Sequence, residues 1–83
     1  MQTEQQVFTK IVSILTPFTK SPQALADISM KTSIMGDLKV NSARLVDVVL
    51  EIEEAFGIEV MDEDADRVRT VGDAVGLVLA KQK

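Results

Sequence analysis

Ser42 is the residue whose type and setting offer the clearest chemistry, because it stands at the predicted start of a long helix. The first N–H groups of a helix have no partner inside the helix, and together with the helix dipole they favour a phosphate bound nearby. A serine hydroxyl at this position could carry a phosphate ester, or it could simply cap the helix. The residue and its position alone favour the simple cap.

The chain contains neither cysteine nor histidine. A disulfide framework, a thiolate metal site and a cysteine nucleophile are therefore excluded, and a Ser-His-Asp triad cannot be built from this chain alone. Its 83 residues suffice for a single domain, 1–83, without a deep cleft between subdomains. We therefore predict no catalytic residue, no metal ligand and no enzymatic activity.

Acidic residues are concentrated in one part of the chain, and the net charge is −4. Between Leu45 and Asp66 there are nine acidic residues and no lysine or arginine. This balance argues against nucleic-acid binding and suits a partner with a basic surface. The sequence shows no signal-peptide pattern and no apolar stretch long enough to span a bilayer, so we expect a cytoplasmic monomer.

The stretch Asp62–Asp66 resembles the first part of an EF-hand calcium loop, whose sixth position requires glycine and whose twelfth requires a bidentate glutamate. Those two positions are Arg67 and Asp73. Weak binding of divalent cations, which would relieve repulsion between the carboxylates, is therefore the better hypothesis.

Hydrophobic periodicity predicts a first helix from about Thr3 to Thr16, with Thr3 and Gln6 at the spacing of a capping box and Pro17 at its end. From Pro17 to Asn41 no long helix is indicated, although a short turn is possible within the range 24–30. Loops of this length in small domains are often functional, and the equally favoured alternative is a loop that only covers the core.

A second main helix is predicted from Ser42 to Phe56, with Asn41 or Ser42 as its cap and Gly57 as its C-terminal stop. A short helical turn follows at 62–67, and a last helix begins after Thr70 and ends near Lys81. The sum is an all-α bundle of three main helices and one short helix, with a long loop between the first two main helices.

The second main helix carries two apolar stripes. The first can pack on the other helices and consists of Leu45, Val48, Val49, Ile52 and Phe56. The second lies about a quarter turn or more away, consists of Ala43, Val46 and Leu50, and is bordered by Asp47, Glu53 and Glu54. We interpret the second stripe as a partner surface. The alternative is that it packs under the long loop and that the acids form an ordinary solvated face.

Four sequence strings link these elements: DLKVNS at 37–42, FGIEV at 56–60, DEDA at 62–65 and TVGDAV at 70–75. Together they resemble the acyl carrier protein family, whose members typically show D-L-G-x-D-S-L, a helix ending in E-E-x-F-G-I, then D-E-D-A and T-V-G-D-A-V. The resemblance runs in order and without gaps from about Met35 to Leu79.

This resemblance implies a four-helix fold in which Ser42 carries 4'-phosphopantetheine through a phosphodiester, installed from coenzyme A by a phosphopantetheinyl transferase. The arm ends in a thiol that holds acyl groups as thioesters for delivery to partner enzymes. Because the thiol arrives with the cofactor and the transferase supplies base and metal, the missing cysteine and histidine are no obstacle. The alternative function is a non-carrier acidic helical interaction domain that is never phosphopantetheinylated.

The same resemblance implies that the start and exposed face of the second main helix dock onto basic patches of the transferase and of acyl-transferring or acyl-synthesising enzymes. The partner-binding positions are Ala43, Arg44, Val46, Asp47, Leu50, Glu53 and Glu54. In the family the acyl chain can also fold back between helices. Val48, Ile52 and Phe56 are possible lining residues, although we expect them to be ordinary core.

The chain departs from the family pattern around the serine. The family's D-S-L is Asn41-Ser42-Ala43 here, the glycine of D-L-G is Lys39, and the acidic residue two positions past the serine is Arg44. Lys39 and Arg44 add positive charge, and Ala43 offers a partner a smaller apolar side chain than the family's leucine. We therefore hypothesise a carrier for a specialised lipid or polyketide-type pathway, with its own transferase.

Two further hypotheses concern this segment. Arg44 or Lys39 could pair with the phosphodiester of the arm. An aminoacyl or peptidyl carrier fits less well than a carrier of other acyl units, because such carriers usually show a glycine-rich approach to the serine.

Overall fold

The computed structural model describes residues 3–82, and this range forms five helices and no regular strand. They are α1 (Glu4–Leu15), α2 (Pro22–Ala26), α3 (Ser42–Phe56), α4 (Asp62–Asp66) and α5 (Val71–Lys81). The predicted all-α class is confirmed. None of the helices in this range is both long and apolar enough to cross a membrane.

Helix α2 is the main difference from the predicted element order, which has only a turn in the range 24–30. The helix begins earlier, because Pro22 occupies its first turn and the Ser21 hydroxyl accepts a hydrogen bond from the N–H of Ala24. Proline favours the first turn of a helix, where its missing N–H costs nothing. The long loop between the first two main helices therefore contains a helix of five residues.

Side chains at the helix ends explain the boundaries of the main helices. Helices α1 and α5 each begin with a reciprocal capping box, formed by Thr3 with Gln6 and by Thr70 with Asp73. Helix α3 begins after Asn41, and it ends at Gly57, which has a φ of 63°. This left-handed conformation favours glycine because it has no Cβ.

The core lies between α1, α3 and α5, with α1 packed mainly against α5 and also against α3. The buried hydrophobic residues from the three helices are Val7, Ile11, Leu15, Val48, Ile52, Val71, Ala74, Val75 and Val78. The loop before α3 contributes three more, Ile34, Leu38 and Val40. The loop is therefore part of the core and holds the start of α3 in place.

Backbone hydrogen bonds fix this loop to the beginning of α5. The N–H groups of Val71 and Gly72 donate to the carbonyls of Thr32 (3.0 Å) and Met30 (2.8 Å). The loop therefore supplies acceptors for two N–H groups in the first turn of α5, which have no partner inside the helix. A Cβ on Gly72 would lie 2.7 Å from the Met30 carbonyl oxygen, so this close approach requires glycine.

Lys39 is the only non-glycine residue in the range 3–82 with a positive φ, 59°. Its neighbours Leu38 and Val40 are both buried, and both donate to loop carbonyls, those of Ser33 (3.1 Å) and Ile34 (3.2 Å). The chain must therefore turn sharply at Lys39 between two anchored residues. The left-handed geometry explains why glycine is the usual family residue at this position.

Replacing Lys39 by glycine should raise the free energy of unfolding by about 1 kcal/mol, since a side chain makes the left-handed region unfavourable by 1–2 kcal/mol and the flexibility of glycine offsets only part of that. Urea denaturation measures the change. As the matched control, Gly57→Ala should lower stability by about 1 kcal/mol, because a Cβ there meets nothing within 4 Å and only the backbone preference is tested. A less stable Lys39→Gly protein would contradict this account.

Asp73 should make the fold sensitive to acid. The pKa of its carboxyl is lowered by hydrogen bonds from the N–H groups of Thr70 and Arg69, both at 3.0 Å. A lowered folded-state pKa gives stability that is present above the unfolded value of about 3.9 and is lost as the pH falls through the folded value.

Asp73→Asn should therefore lower the free energy of unfolding at pH 7 by less than about 1 kcal/mol, because solvent screens the charge at this exposed position. The difference from the unmodified protein should shrink below a pH of about 4. Urea denaturation between pH 2.5 and pH 7 measures both effects. Glu51→Gln, at an exposed position of α3, is the control and should keep the original pH dependence. An equal difference between Asp73→Asn and the parent at every pH would contradict the assignment.

Candidate attachment site and docking face

Ser42 is the first residue of α3, and its side chain is exposed. The cap of α3 is Asn41, whose side-chain oxygen accepts a hydrogen bond of 2.9 Å from the Arg44 N–H. No residue in the range 3–82 forms a hydrogen bond with the Ser42 hydroxyl. The alternative interpretation of Ser42 as the helix cap is therefore wrong, because its neighbour has that role.

The backbone around Ser42 offers further unpaired groups. Within the described part of the chain, the N–H groups of Ser42 and Ala43 donate no hydrogen bond. The next two N–H groups, of Arg44 and Leu45, both donate to Asn41. Free N–H groups and the helix dipole give this end of α3 a partial positive charge. An anionic group attached to the hydroxyl would lie in a favourable field.

A groove of about 390 Å³ opens beside Ser42, between α3 and the segment that contains α4. Leu45, Val46, Val49 and Leu50 line it from α3, and Val60, Ala65 and Val68 line it from the opposite side. Glu53, Asp62, Asp66 and Arg69 add charged groups to the lining. Val48 and Ile52 lie outside the lining, because both are buried in the core, as expected. The groove could shelter an apolar chain attached near Ser42.

The second stripe of α3 faces solvent. The side chains of Val46 and Leu50 are 61% and 53% exposed, and Ala43 is also exposed. The alternative in which this stripe packs under the long loop is therefore wrong. Large exposed apolar side chains beside a groove are typical of a surface that binds a partner.

The charged residues predicted on this face differ in their surroundings. Arg44 and Asp47 form an ion pair of 3.2 Å, with both side chains substantially exposed. The Glu53 carboxylate accepts a hydrogen bond of 2.9 Å from the Val60 N–H, so it stabilises the turn after α3. Glu54 is exposed and has no ion pair with any residue in the described range. Of the three acids, Glu54 is the one whose charge remains fully available to a partner.

The acidic segment that resembles a calcium loop forms the helix α4. The Asp64 carboxylate pairs with Lys81 at 2.9 Å, and this hydrogen bond lowers the pKa of Asp64. Asp73, the twelfth position of the loop pattern, is engaged in the cap of α5. Within residues 3–82, no cluster of three or more potential ligands could hold a metal ion.

Several residues at this site did not emerge from sequence reasoning. Met35, Val60, Ala65 and Val68 line the groove, and no periodic pattern marks them as a group because they lie outside the three main helices. Lys20 is brought next to Leu38 and Lys39 by a hydrogen bond from its N–H to the Leu38 carbonyl. A contact between residues so far apart in sequence leaves no local signal.

Comparison with known proteins gives a consistent answer. The family model described as the phosphopantetheine attachment site matches residues 10–78. An acyl carrier protein from Lactobacillus acidophilus is 33% identical over 79 residues, which are 95% of this chain and 96% of that protein. An acyl carrier protein from Rubrobacter xylanophilus is 39% identical over 57 residues, which are 69% of this chain and 70% of that protein.

The fold agrees as well. The solved structure of an acyl carrier protein from Enterococcus faecalis superposes with a TM-score of 0.79 at 30% identity, covering 96% of this chain and 99% of that one. Sequence and structure therefore place the chain in the acyl carrier protein family, so it is a carrier that uses covalently attached 4'-phosphopantetheine and is not an enzyme.

Proposed function

We propose that the Ser42 Oγ atom is the attachment point of 4'-phosphopantetheine and that the chain delivers acyl groups to partner enzymes from this position. The observation that carries the proposal is the division of roles at the start of α3. Asn41 caps the helix, and the exposed Ser42 hydroxyl remains without a hydrogen-bond partner in the described structure. A transferase can therefore reach the hydroxyl without disturbing the cap.

The residues present fit the cofactor. The unpaired N–H groups of Ser42 and Ala43 and the dipole of the 15-residue helix α3 favour a phosphodiester on Oγ. When bound, the arm supplies the thiol that holds an acyl group. The chain itself provides the anchoring oxygen, a favourable field and, in the neighbouring groove, apolar walls that can exclude water from an acyl chain.

We also propose that the carrier serves a specialised lipid or polyketide-type pathway and requires partners matched to it. The four departures from the family pattern, at Lys39, Asn41, Ala43 and Arg44, are all exposed around Ser42. Any enzyme that reaches the serine must contact this surface. The Arg44–Asp47 ion pair further reduces the negative charge that a basic docking patch would meet there.

Intact-protein mass spectrometry tests the attachment. After incubation with coenzyme A, magnesium and the phosphopantetheinyl transferase of the source organism, the chain should gain the mass of one phosphopantetheine, and Ser42→Ala should gain none. Ser13→Ala is a matched control, because Ser13 is an exposed serine on α1 and its replacement should not affect the gain. No gain on the unchanged chain would favour the alternative, an acidic interaction domain that is never modified.

Rates with a standard fatty-acid synthase system test the specialised role. The holo form of this chain should be used at least about tenfold less efficiently than a typical carrier, since several rim contacts of a few tenths to one kcal/mol each are altered. The triple variant Asn41→Asp, Ala43→Leu, Arg44→Asp restores the family pattern and should recover most of the loss. Equal efficiency of the unchanged chain and a typical carrier would contradict the specialised role.

A further inference from the structure

The backbones of two lysines far apart in sequence, Lys20 and Lys39, lie close together in the fold. The Lys20 N–H donates to the Leu38 carbonyl at 3.0 Å, and the Thr19 hydroxyl donates to the same oxygen at 2.8 Å. Lys20 is therefore held next to the peptide bond that leads into Lys39, and both side chains are exposed. We name these two residues the lysine pair.

Neither member of the lysine pair forms an ion pair with another residue in the part of the chain that the structure describes. In the range 3–82 the ion pairs are Arg44–Asp47 and Asp64–Lys81, so neither member of the lysine pair has an acidic partner. Asp37, the acid closest to Lys39 in sequence, accepts a hydrogen bond of 2.8 Å from the Ser33 N–H. Lys39, three residues before Ser42, and Lys20 beside it in the fold thus carry positive charge without an ion-pair partner among residues 3–82.

The remainder of the docking surface has the opposite sign. Nine acidic residues and no basic residue lie between Leu45 and Asp66, which is the stretch that contains most of α3 and all of α4. The lysine pair therefore precedes Ser42 in the chain, whereas an acidic stretch begins after the first turn of α3. A partner with a uniformly basic patch would be attracted by one part and repelled by the other.

The conformation of Lys39 adds to this argument. Its φ of 59° suits glycine, and the lysine side chain makes no hydrogen bond or ion pair with the described residues that would offset the unfavourable backbone. Strained residues are concentrated at functional positions. A contact between the Lys39 side chain and a partner would offset this unfavourable backbone.

On the basis that Ser42 is the attachment point, we propose that the lysine pair is a recognition element for the phosphopantetheinyl transferase that modifies this chain. That transferase would present carboxylates against Lys20 and Lys39 and basic side chains against the acidic half of the surface. The transferase is the partner of choice because its active site must reach the Ser42 oxygen, which lies three residues from Lys39 in the chain. Enzymes that use the loaded carrier can dock on the same face of α3, but they act on the thioester at the far end of the arm and not on the Ser42 oxygen.

The initial rate of modification of the apo chain by the source organism's transferase tests this proposal. Lys20→Glu and Lys39→Glu should each lower kcat/KM by about fivefold, and the double variant by more than about tenfold, with smaller losses at high ionic strength. Lys10→Glu is the matched control, because it makes the same charge change at an exposed position on α1 and should alter the rate less than about twofold. The apo chain has no phosphodiester, so pairing of lysine with the arm cannot explain a loss.

Lys39→Gly separates recognition from folding. It removes the charge and the strain together, so the variant should be modified more slowly although it unfolds at higher urea concentration than the parent. If Ser42 of the parent is fully modified and the lysine variants react at an unchanged or faster rate, the proposed role of the lysine pair is wrong and the carrier function stands. No modification of the unchanged chain by its own transferase would overturn both.

Discussion

The hydrogen bond between the Asn41 side chain and the Arg44 N–H is the interaction on which the site depends. A helix start needs a side-chain acceptor for its unpaired N–H groups. If Ser42 supplied that acceptor, its hydroxyl would be engaged and any modification would compete with helix stability. Because Asn41 supplies it, α3 is capped, and the first two N–H groups of the helix and the serine hydroxyl remain available to a phosphodiester.

The position of Asn41 depends in turn on the loop before it. Ile34, Leu38 and Val40 are buried in the common core, and the loop backbone is bonded to the start of α5. The last helix therefore fixes the segment that delivers Ser42 to the surface. The chain turns at Lys39, between the two buried residues Leu38 and Val40, and Lys39 has a left-handed backbone. This conformation is less favourable for lysine than for glycine, the usual family residue at this position.

Much of this architecture follows from local sequence signals. The starts of α1, α3 and α5 and the stop at Gly57 are predicted by side chains that act within four residues of the helix ends. The exposure of Val46 and Leu50 follows from the angular separation of the two stripes, which lets only one of them face the core. The Arg44–Asp47 pair is likewise local, although the sequence alone does not select it from other partners.

The features that sequence reasoning missed depend on long-range packing. The far wall of the groove comes from Val60, Ala65 and Val68, which the fold places opposite α3 although they belong to no common helix. The same holds for the meeting of Lys20 with Lys39 through the Leu38 carbonyl.

The attachment of the arm to Ser42 can be tested most directly on protein isolated from its own cells. Trypsin cleaves after Lys39 and Arg44 and releases the fragment 40–44, in which Ser42 is the only hydroxyl-bearing residue. Fragment mass spectrometry should find this peptide with the added mass of phosphopantetheine. Finding the 40–44 peptide entirely unmodified in native protein, or the added mass on another fragment, would contradict the account.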